Sequence, residues 1–320
     1  MQPLVSIIIP SFNRASLISE TMKSIQDQTL DQWECIVVDD GSTDETHAVV
    51  GQFIEKDDRI QFHNRPENRA KGANACRNYG FELSRGEFIC WIDSDDLMHP
   101  QKLEKQTKQL QAQKLNFSIC KSLLFKDSIN DSQELKSESI KSDNPFEDFF
   151  MKKIIIPVQA PLYNKAFLNA NNFKYDEELQ AGQEWEFIAN ILANFDHYAT
   201  IDEPLDYIRK HEQSISGQIT HHQKWNYFKA RYNIFNKYKR QFSDELKDFT
   251  HYLFLNSYKD FLRSGNYRHA CYVWRKCLIG DQKTSVTDHL RLGISWMTFF
   301  LFKKGDVFLA KVSSFNNNKS

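Results

Sequence analysis

No apolar run in this sequence is long enough to cross a membrane. A spanning helix needs roughly 18 or more uninterrupted apolar residues, and the first apolar segment, at residues 5–9 (VSIII), spans only five positions. That run is also too short for a signal peptide and has no basic leader before it. These absences predict a cytoplasmic protein.

Cysteines are few and scattered. The six lie at positions 35, 76, 90, 120, 271 and 277, without the close pairs of a zinc site or the density of a disulfide framework. Reduced thiols are therefore expected, and a redox function is not. The sequence also has no evident internal repeat.

The net charge of −1 hides an asymmetry between the two parts of the chain. Residues 221–320 contain 18 Lys and Arg against 7 Asp and Glu, an excess of +11, whereas residues 1–220 have a net charge of −12. The two parts should therefore meet different partners.

Hydrophobic patterning divides the 320 residues into an α/β part and a helical part. In the first half, short β-branched apolar runs alternate with segments of helical periodicity, which predicts βαβ units and a mostly parallel sheet with helices on both faces. Long helical stretches rich in Phe, Tyr and Trp follow. We therefore predict two domains, residues 1–220 and residues 221–320. Predicted strands lie at residues 5–9, 33–38, 60–63, 87–92 and 117–125, with a strand pair near 198–209, predicted helices at 16–28, 43–56, 71–84, 99–114 and 182–194, and a polar surface loop at 127–144.

The strongest chemical signal is an acidic cluster, Asp93-Ser94-Asp95-Asp96, directly after an apolar strand. In open α/β sheets, ligands bind outside the carboxyl ends of the strands, where this cluster would lie. Clustered carboxylates repel one another unless a cation is present, so the pattern favours a hard divalent metal. A solvated acidic turn is the alternative.

A second polar segment, residues 39–44 (DDGSTD), follows the second predicted strand. Ser42 or Thr43 is positioned to cap the next helix. Taken alone, this segment is equally compatible with ordinary turn chemistry.

In order and spacing these segments resemble the family 2 glycosyltransferases with the GT-A fold. The resemblance covers roughly residues 4–212. It implies an α/β GT-A domain with a Rossmann-like, mostly parallel sheet, and a nucleotide-diphosphate sugar as donor. The motifs are weak singly and specific together: residues 5–13 (VSIIIPSFN), 24–29 (SIQDQT), 39–44 (DDGSTD), 75–78 (ACRN) and 88–96 (FICWIDSDD).

The resemblance implies a donor site formed by the turn after the first strand and the two acidic segments. Asp40 would accept the imide hydrogen of uracil, and Asp95 would bind the Mg²⁺ or Mn²⁺ that bridges the donor diphosphate. A cation there stabilises the charge that accumulates on the leaving diphosphate. The resemblance also implies that the nucleotide is bound by Pro10, Ser11, Asn13, Asp39, Asp93 and Ser94.

Basic residues near these segments are further candidates. Lys71 and Arg77, on the predicted helix before the acidic cluster, could help to neutralise phosphate, although a solvated helix face is an equal alternative. Residues 207–216 resemble the family's closing segment, in which a basic residue and a His approach the diphosphate or metal. Arg209 and His211 are the candidates there, with His211 as a metal ligand or as a structural residue.

An inverting transfer needs a base that deprotonates the acceptor hydroxyl. Residues 181–187 resemble the segment that holds the family's Glu-Asp pair, with Gln183 and Glu184 in place of the usual residues. Glu184 is therefore the expected catalytic base. Two alternatives stay open: Glu186 is a competing carboxylate, and Glu184 could serve only as a charge at a helix N-terminus.

The tail from residue 221 lies outside these motifs. Residues 290–312 interleave aromatic and basic side chains, as an interfacial helix does, and a basic region is attracted to anionic lipid. A core helix with solvated charges is the alternative. Nucleic acid is not expected as a partner, because the first domain is acidic and no recognition motif is present.

The sequence thus predicts a metal-dependent, inverting glycosyltransferase that acts in cell-surface polysaccharide or glycan synthesis. The expected donor is a UDP-sugar, and the expected acceptor is a saccharide or a lipid-linked saccharide reached at the inner face of the plasma membrane. One alternative is a non-catalytic sugar-nucleotide binding module, which Gln183 keeps open. Another is a metal-dependent nucleotidyltransferase, disfavoured because residues 10–14 (PSFNR) lack a glycine-rich phosphate loop.

Overall fold

The structure, a computed structural model, describes residues 2–126, 128–129, 134–210, 220–281 and 283–312. The chain divides into two compact units, residues 1–218 (unit 1) and residues 219–320 (unit 2). Each unit has its own hydrophobic core and is described by itself.

Unit 1 is built on a mixed sheet in which the described residues supply nine strands. Their spatial order is β3-β2-β1-β4-β8-β6-β9-β5, with β7 beside β6. The half formed by β3, β2, β1 and β4 is parallel, β8 runs antiparallel to both β4 and β6, and β9 is parallel to β6. The strands are β1 Val5–Ser11, β2 Trp33–Asp39, β3 Ile60–Asn64, β4 Phe88–Trp91, β5 Leu97–Met98, β6 Phe117–Phe125, β7 Glu134–Leu135, β8 Pro161–Asn164 and β9 Ala199–Arg209.

Two predictions about this sheet were wrong in detail. The strand pair expected near residues 198–209 is one long strand, β9, because the chain passes Pro204 with a register shift against Lys121 of β6 instead of turning. The loop expected at residues 127–144 contains β7, which pairs with Leu123 and Leu124 of β6.

Helices cover the sheet where apolar side chains recur on one helical face. In α1, Ile18, Met22 and Ile25 are spaced three to four residues apart and are fully buried in the core. Helix α3 packs closely on the sheet at Gly80, where a Cβ atom would lie 2.4 Å from a methyl group of Ile8. The helices are α1 Ile18–Gln26, α2 Thr46–Ile54, α3 Ala73–Leu83, α4 Lys102–Gln113, α5 Pro145–Phe150, α6 Lys165–Ala170 and α7 Gln183–Leu192.

The regular elements of unit 2 are all helical among its described residues. Its core is aromatic and includes the buried Phe254, Tyr258 and Phe261 of α9. None of the described helices is both long enough and apolar enough to span a membrane. The elements are α8 His221–Tyr238, α9 Asp244–Arg263, α10 Tyr267–Val273, a π-helical segment Trp274–Leu278, α11 Val286–Phe302 and α12 Asp306–Leu309.

Residues 290–312, expected as one interfacial segment, do not form one helix. Helix α11 ends at Phe302. The next residue, Lys303, has a left-handed φ of 57°, and α12 begins at Asp306. A residue in this conformation stops the α-helical hydrogen-bond ladder. The end of α11 therefore separates the two parts of the segment.

Candidate active site

The carboxyl ends of β1, β2 and β4 meet at one edge of the sheet. Ser11 at the end of β1 lies in register with Asp39 at the end of β2, and the acidic cluster at residues 93–96 follows β4, which pairs with β1 on its other side. Parallel pairing brings these ends together, as the sequence predicted. The first turn of α7, which holds Glu184, joins them through a side-chain contact described below.

Asp39 shapes the loop after β2. Its Oδ2 accepts hydrogen bonds from the backbone N–H groups of Gly41 (2.9 Å) and Ser42 (2.7 Å), and its Oδ1 accepts from the Ser42 hydroxyl (2.5 Å). Gly41 adopts a φ of 92°, which favours glycine. Both Asp39 oxygens are thus engaged by its own loop.

Asn13 ties the turn after β1 to this loop. Its side-chain oxygen accepts from the backbone N–H of Thr43 (2.8 Å), while its own N–H donates to the Ser42 hydroxyl (2.8 Å). The neighbouring Pro10 and Ser11 end β1 and are buried. The two predicted nucleotide segments therefore form one connected structure.

Asp40 is paired with Arg65, a residue that sequence reasoning missed. Arg65 Nε donates to Asp40 Oδ1 at 2.5 Å, and both side chains are largely buried. The guanidinium also donates to the carbonyl oxygens of Pro66 (2.9 Å) and Arg69 (2.7 Å). Because Arg65 directly follows β3, which pairs with β2, its position at the same sheet edge was the signal that could have identified it.

Arg77 connects the acidic cluster to the predicted base. Only 2% of its side chain is exposed; one terminal nitrogen donates to Asp93 Oδ1 at 2.8 Å, and the other donates to Glu184 Oε1 at 2.9 Å. Its guanidinium also lies 5.2 Å from the Tyr175 ring. The solvated-face interpretation is therefore wrong for Arg77, which is a buried ion-pair partner.

Charge crowding sets the electrostatics of this group. Burial lowers the pKa of Arg77, but Glu184 and Asp93 raise it more, so the guanidinium stays charged. The pKa of Asp93 is raised by desolvation and by the nearby Glu184 and Asp95, against the opposing effect of Arg77. Burial together with the neighbouring carboxylates thus outweighs the effect of Arg77 on Asp93.

Asp95 and Asp96 face different surroundings. Asp95 Oδ2 accepts from Arg14 Nε at 3.3 Å. Asp96 is buried and accepts from the Gln159 side chain (2.7 Å) and from the backbone N–H of Arg209 (2.8 Å). Desolvation, together with Asp93 and Asp95, raises the pKa of Asp96 well above its ordinary value. Asp96 therefore anchors the cluster internally.

Arg209, the basic candidate of the closing segment, ends β9 and lies beside the acidic cluster. Its Nε donates to the backbone oxygen of Asp95 at 3.1 Å, and a terminal nitrogen donates to Glu20 at 2.7 Å. His211, the other candidate from that segment, lies outside the described residues.

The remaining predicted residues are placed as follows. Lys71 is exposed and lies in the turn before α3, so its expected position on the helix was wrong. Ser94 is buried between the two aspartates. Glu186 is also buried, and Glu184, which keeps 32% of its side chain exposed, is the more accessible of the two carboxylates in the first turn of α7.

The donor atoms of the acidic cluster fit a hard divalent cation in part. Asp93 and Asp95 offer carboxylate oxygens, which Mg²⁺ and Mn²⁺ prefer. The pKa of Asp93 is raised mainly by burial and further by the nearby Glu184 and Asp95, and a cation would offset these effects. Among the described residues, no three His, Cys, Asp or Glu side chains converge to hold an ion. Oxygens from a bound ligand and water would have to complete such a site.

Residues 6–167 match a protein-family model described as Glycosyl transferase family 2. This match covers just over half of the 320 residues. A relative from Campylobacter jejuni, named GalNAc(5)-diNAcBac-PP-undecaprenol beta-1,3-glucosyltransferase, is 33% identical over 153 residues, which cover 47% of this chain and 48% of that protein. The chain likewise spans less than half the length of several other curated relatives.

Solved structures with the same fold were also found. TarS 1-349 of S. aureus, in complex with UDP-GlcNAc, superposes with a TM-score of 0.58 at 17% identity and covers 95% of this chain and 83% of its own. The mannosyltransferase PcManGT of Pyrobaculum calidifontis, in complex with GDP-Man and Mn²⁺, gives a TM-score of 0.52 at 17% identity, with 97% and 86% covered. These neighbours place the fold in the GT-A class.

Proposed function

Since the chain belongs to glycosyl transferase family 2, we propose that it is an inverting glycosyltransferase that moves a sugar from a UDP-sugar to a saccharide or a lipid-linked saccharide. The observation that carries this proposal is that the buried Arg77 pairs with both Asp93 of the acidic cluster and Glu184 of α7 at the carboxyl edge of the sheet. Asp93 belongs to the acidic cluster proposed to hold the donor, and Glu184 is the carboxylate proposed to activate the acceptor.

The nucleotide would bind over the joined loops after β1 and β2. Asn13 and Asp39 hold these loops in shape through their hydrogen bonds, and the Asp40–Arg65 pair borders them. In this proposal, Asp40 accepts a hydrogen bond from the imide N–H of uracil. The complex of TarS with UDP-GlcNAc supports a uridine donor.

Asp95, with Asp93, would hold Mg²⁺ or Mn²⁺ between the protein and the donor diphosphate. When bound, the cation would stabilise the negative charge that develops on the departing diphosphate. Arg14, which pairs with Asp95, places a positive charge beside this proposed cation site. The complex of PcManGT with GDP-Man and Mn²⁺ supports a divalent cation.

Glu184 would remove the proton from the acceptor hydroxyl. Arg77 and Gln183 both donate to its Oε1, whereas Oε2 accepts no hydrogen bond among the described residues and the side chain is 32% exposed. Arg77 therefore fixes the direction of the carboxylate and leaves the second oxygen available. A positioned base of this kind typically contributes about 10²–10⁴-fold in rate.

The acceptor side of the proposal involves lipid. The name of the Campylobacter jejuni relative includes an undecaprenol diphosphate, and residues 221–320 have a charge excess of +11, which favours association with an anionic membrane surface. We therefore propose that unit 2 associates with a membrane and that the acceptor is presented there on its cytoplasmic side.

The first test is a calorimetric titration of the protein with UDP, with and without Mn²⁺. The native chain and the Asp31→Ala control, which changes an exposed aspartate before β2, should bind UDP in a Mn²⁺-dependent manner. Asp95→Ala should lose that dependence. Absence of UDP binding to the folded native chain would refute the donor assignment. Donor binding without turnover over a broad acceptor panel, unchanged by Glu184→Gln, would instead favour a non-catalytic binding module.

A further inference from the structure

The outward face of α11 is apolar, which reverses the usual pattern of a surface helix. Of the thirteen exposed large hydrophobic side chains among the described residues, ten lie within residues 272–307. Five of these form one row along α11, which we name the α11 stripe. Its members are Val286 (78% exposed), Leu290 (63%), Ile294 (37%), Met297 (52%) and Leu301 (65%).

The geometry of α11 shows that the stripe is continuous. Its members are three or four residues apart and, at 100° of rotation per residue, share an arc of about 80°. Leu292, Ser295 and Phe299 occupy the opposite side and are buried in unit 2. The stripe therefore points away from the core of its own unit.

No charged residue of α11 falls within the stripe. The helix has two charged side chains: Asp288, which is buried, and Arg291, which pairs with it at 3.3 Å. An uncharged apolar row of five exposed side chains is costly in water, at about 25 cal/mol per Å² of apolar surface. Such a row is typical of a face that is covered when the protein acts.

Basic residues border the stripe. Lys303 and Lys304 directly follow α11, and both are exposed. On one flank of the stripe, the Trp274 ring packs against α11 at Gly293. A Cβ atom at Gly293 would lie only 3.1 Å from that ring. The segment that begins with Trp274 continues with two further exposed basic residues, Arg275 and Lys276.

We propose that the α11 stripe docks unit 2 onto the surface of an anionic phospholipid bilayer. The apolar row would enter the boundary between headgroups and acyl chains, and the bordering lysines would contact anionic headgroups. The excess of +11 over residues 221–320 favours an anionic surface and opposes the pairing of two identical basic faces. This inference rests on the membrane association of the proposed function and is independent of its donor and metal.

The test is flotation of the full chain with phosphatidylcholine vesicles, prepared with and without phosphatidylglycerol. Leu290→Ser/Met297→Ser removes the centre of the stripe at two exposed positions without a change in charge. Asn236→Ser/Gln241→Ser is the matched control, since both residues are exposed in unit 2. Circular dichroism, the UDP titration and sedimentation equilibrium are measured on all three proteins.

We expect the native chain and the control to float with phosphatidylglycerol vesicles and the stripe variant to bind at least about tenfold more weakly. Equal binding of the stripe variant and the control, or no binding of the native chain, would overturn the proposal. A native dimer that the stripe variant converts to a monomer, without vesicle binding, would also overturn it and assign the stripe to self-association. Retained vesicle binding in a protein that does not bind UDP would count against the donor assignment alone.

Discussion

At the scale of single residues, Arg77 has the most consequences for the candidate site. It is 2% exposed and pairs with Asp93 and Glu184, whose side chains remain 38% and 32% exposed. Arg77→Met should destabilise the protein by about 2–4 kcal/mol, because two carboxylates lose their shared cation but keep partial access to water. Urea denaturation measures this loss.

A double-mutant cycle that combines Arg77→Met with Glu184→Gln separates the interaction between the two side chains from the effect of each substitution alone. Since the two groups are 2.9 Å apart, we expect a coupling free energy of about 0.5–3 kcal/mol. Strictly additive losses would mean that Arg77 does not act on Glu184.

The sequence predicted which acidic segments meet, but not which basic side chains pair with their carboxylates. Segments 39–44 and 93–96 were predictable because parallel strands end at one edge of the sheet. Arg14 and Asp95 are 81 positions apart, and Arg77 and Glu184 are 107 apart. Such contacts depend on the packing of α3 and α7 and on the turn after β1, and no local pattern in the sequence reports that packing.

Glu34 should make stability depend on acid pH. Burial raises the pKa of this carboxyl, but hydrogen bonds from Ser6 (2.7 Å) and Arg85 (2.6 and 2.9 Å) outweigh it and lower the pKa below its ordinary value. A depressed pKa stabilises the fold above the unfolded pKa of about 4.3, and this contribution is lost as the pH falls through the folded pKa. Glu34→Gln removes the titration.

The measurement for Glu34 is urea denaturation from neutral pH down to the acid limit of folding. The native chain should be more stable than Glu34→Gln near neutral pH, and the difference should shrink as the pH drops below about 4. A difference that stays constant over this range would exclude Glu34 as a source of acid sensitivity.

At the scale of elements, the close approach of α3 to the sheet depends on the absence of a side chain at Gly80. A Cβ atom there would lie 2.4 Å from Ile8 Cγ2 and 3.4 Å from Val38 Cγ2. Gly80→Ala should therefore destabilise unit 1 by about 1–3 kcal/mol through overpacking. Gly51 in α2 is the matched control, since no atom lies within 4 Å of its Cβ position; Gly51→Ala should stabilise by about 0.5–1 kcal/mol. Thermal unfolding measures both changes in stability: Gly80→Ala should lower the melting temperature and Gly51→Ala should raise it. Equal shifts in one direction would contradict the packing argument.

Element types followed from periodicity, whereas some element ends did not. Buried apolar residues spaced three to four apart predicted α1. The same kind of pattern in residues 290–312 could not reveal that Lys303 takes a left-handed conformation and ends α11, because this depends on the contacts that follow. Nor could it show that the apolar side chains of α11 face two ways, with Leu292 and Phe299 inward and the α11 stripe outward.

At the scale of the whole molecule, the two units have separate cores, centred on the sheet in unit 1 and on α9 in unit 2. Leu255 of α9 is fully buried in the second core. Leu255→Ala should therefore destabilise unit 2 by about 2–5 kcal/mol, while the UDP binding proposed for unit 1 should be unchanged. Hydrogen exchange read by mass spectrometry can follow both units in one sample. Faster exchange confined to α8–α11, with β1–β4 unchanged, is the expected result because each core is stabilised by its own contacts. Equal loss of protection in β1–β4 would show that the two units unfold as one cooperative body.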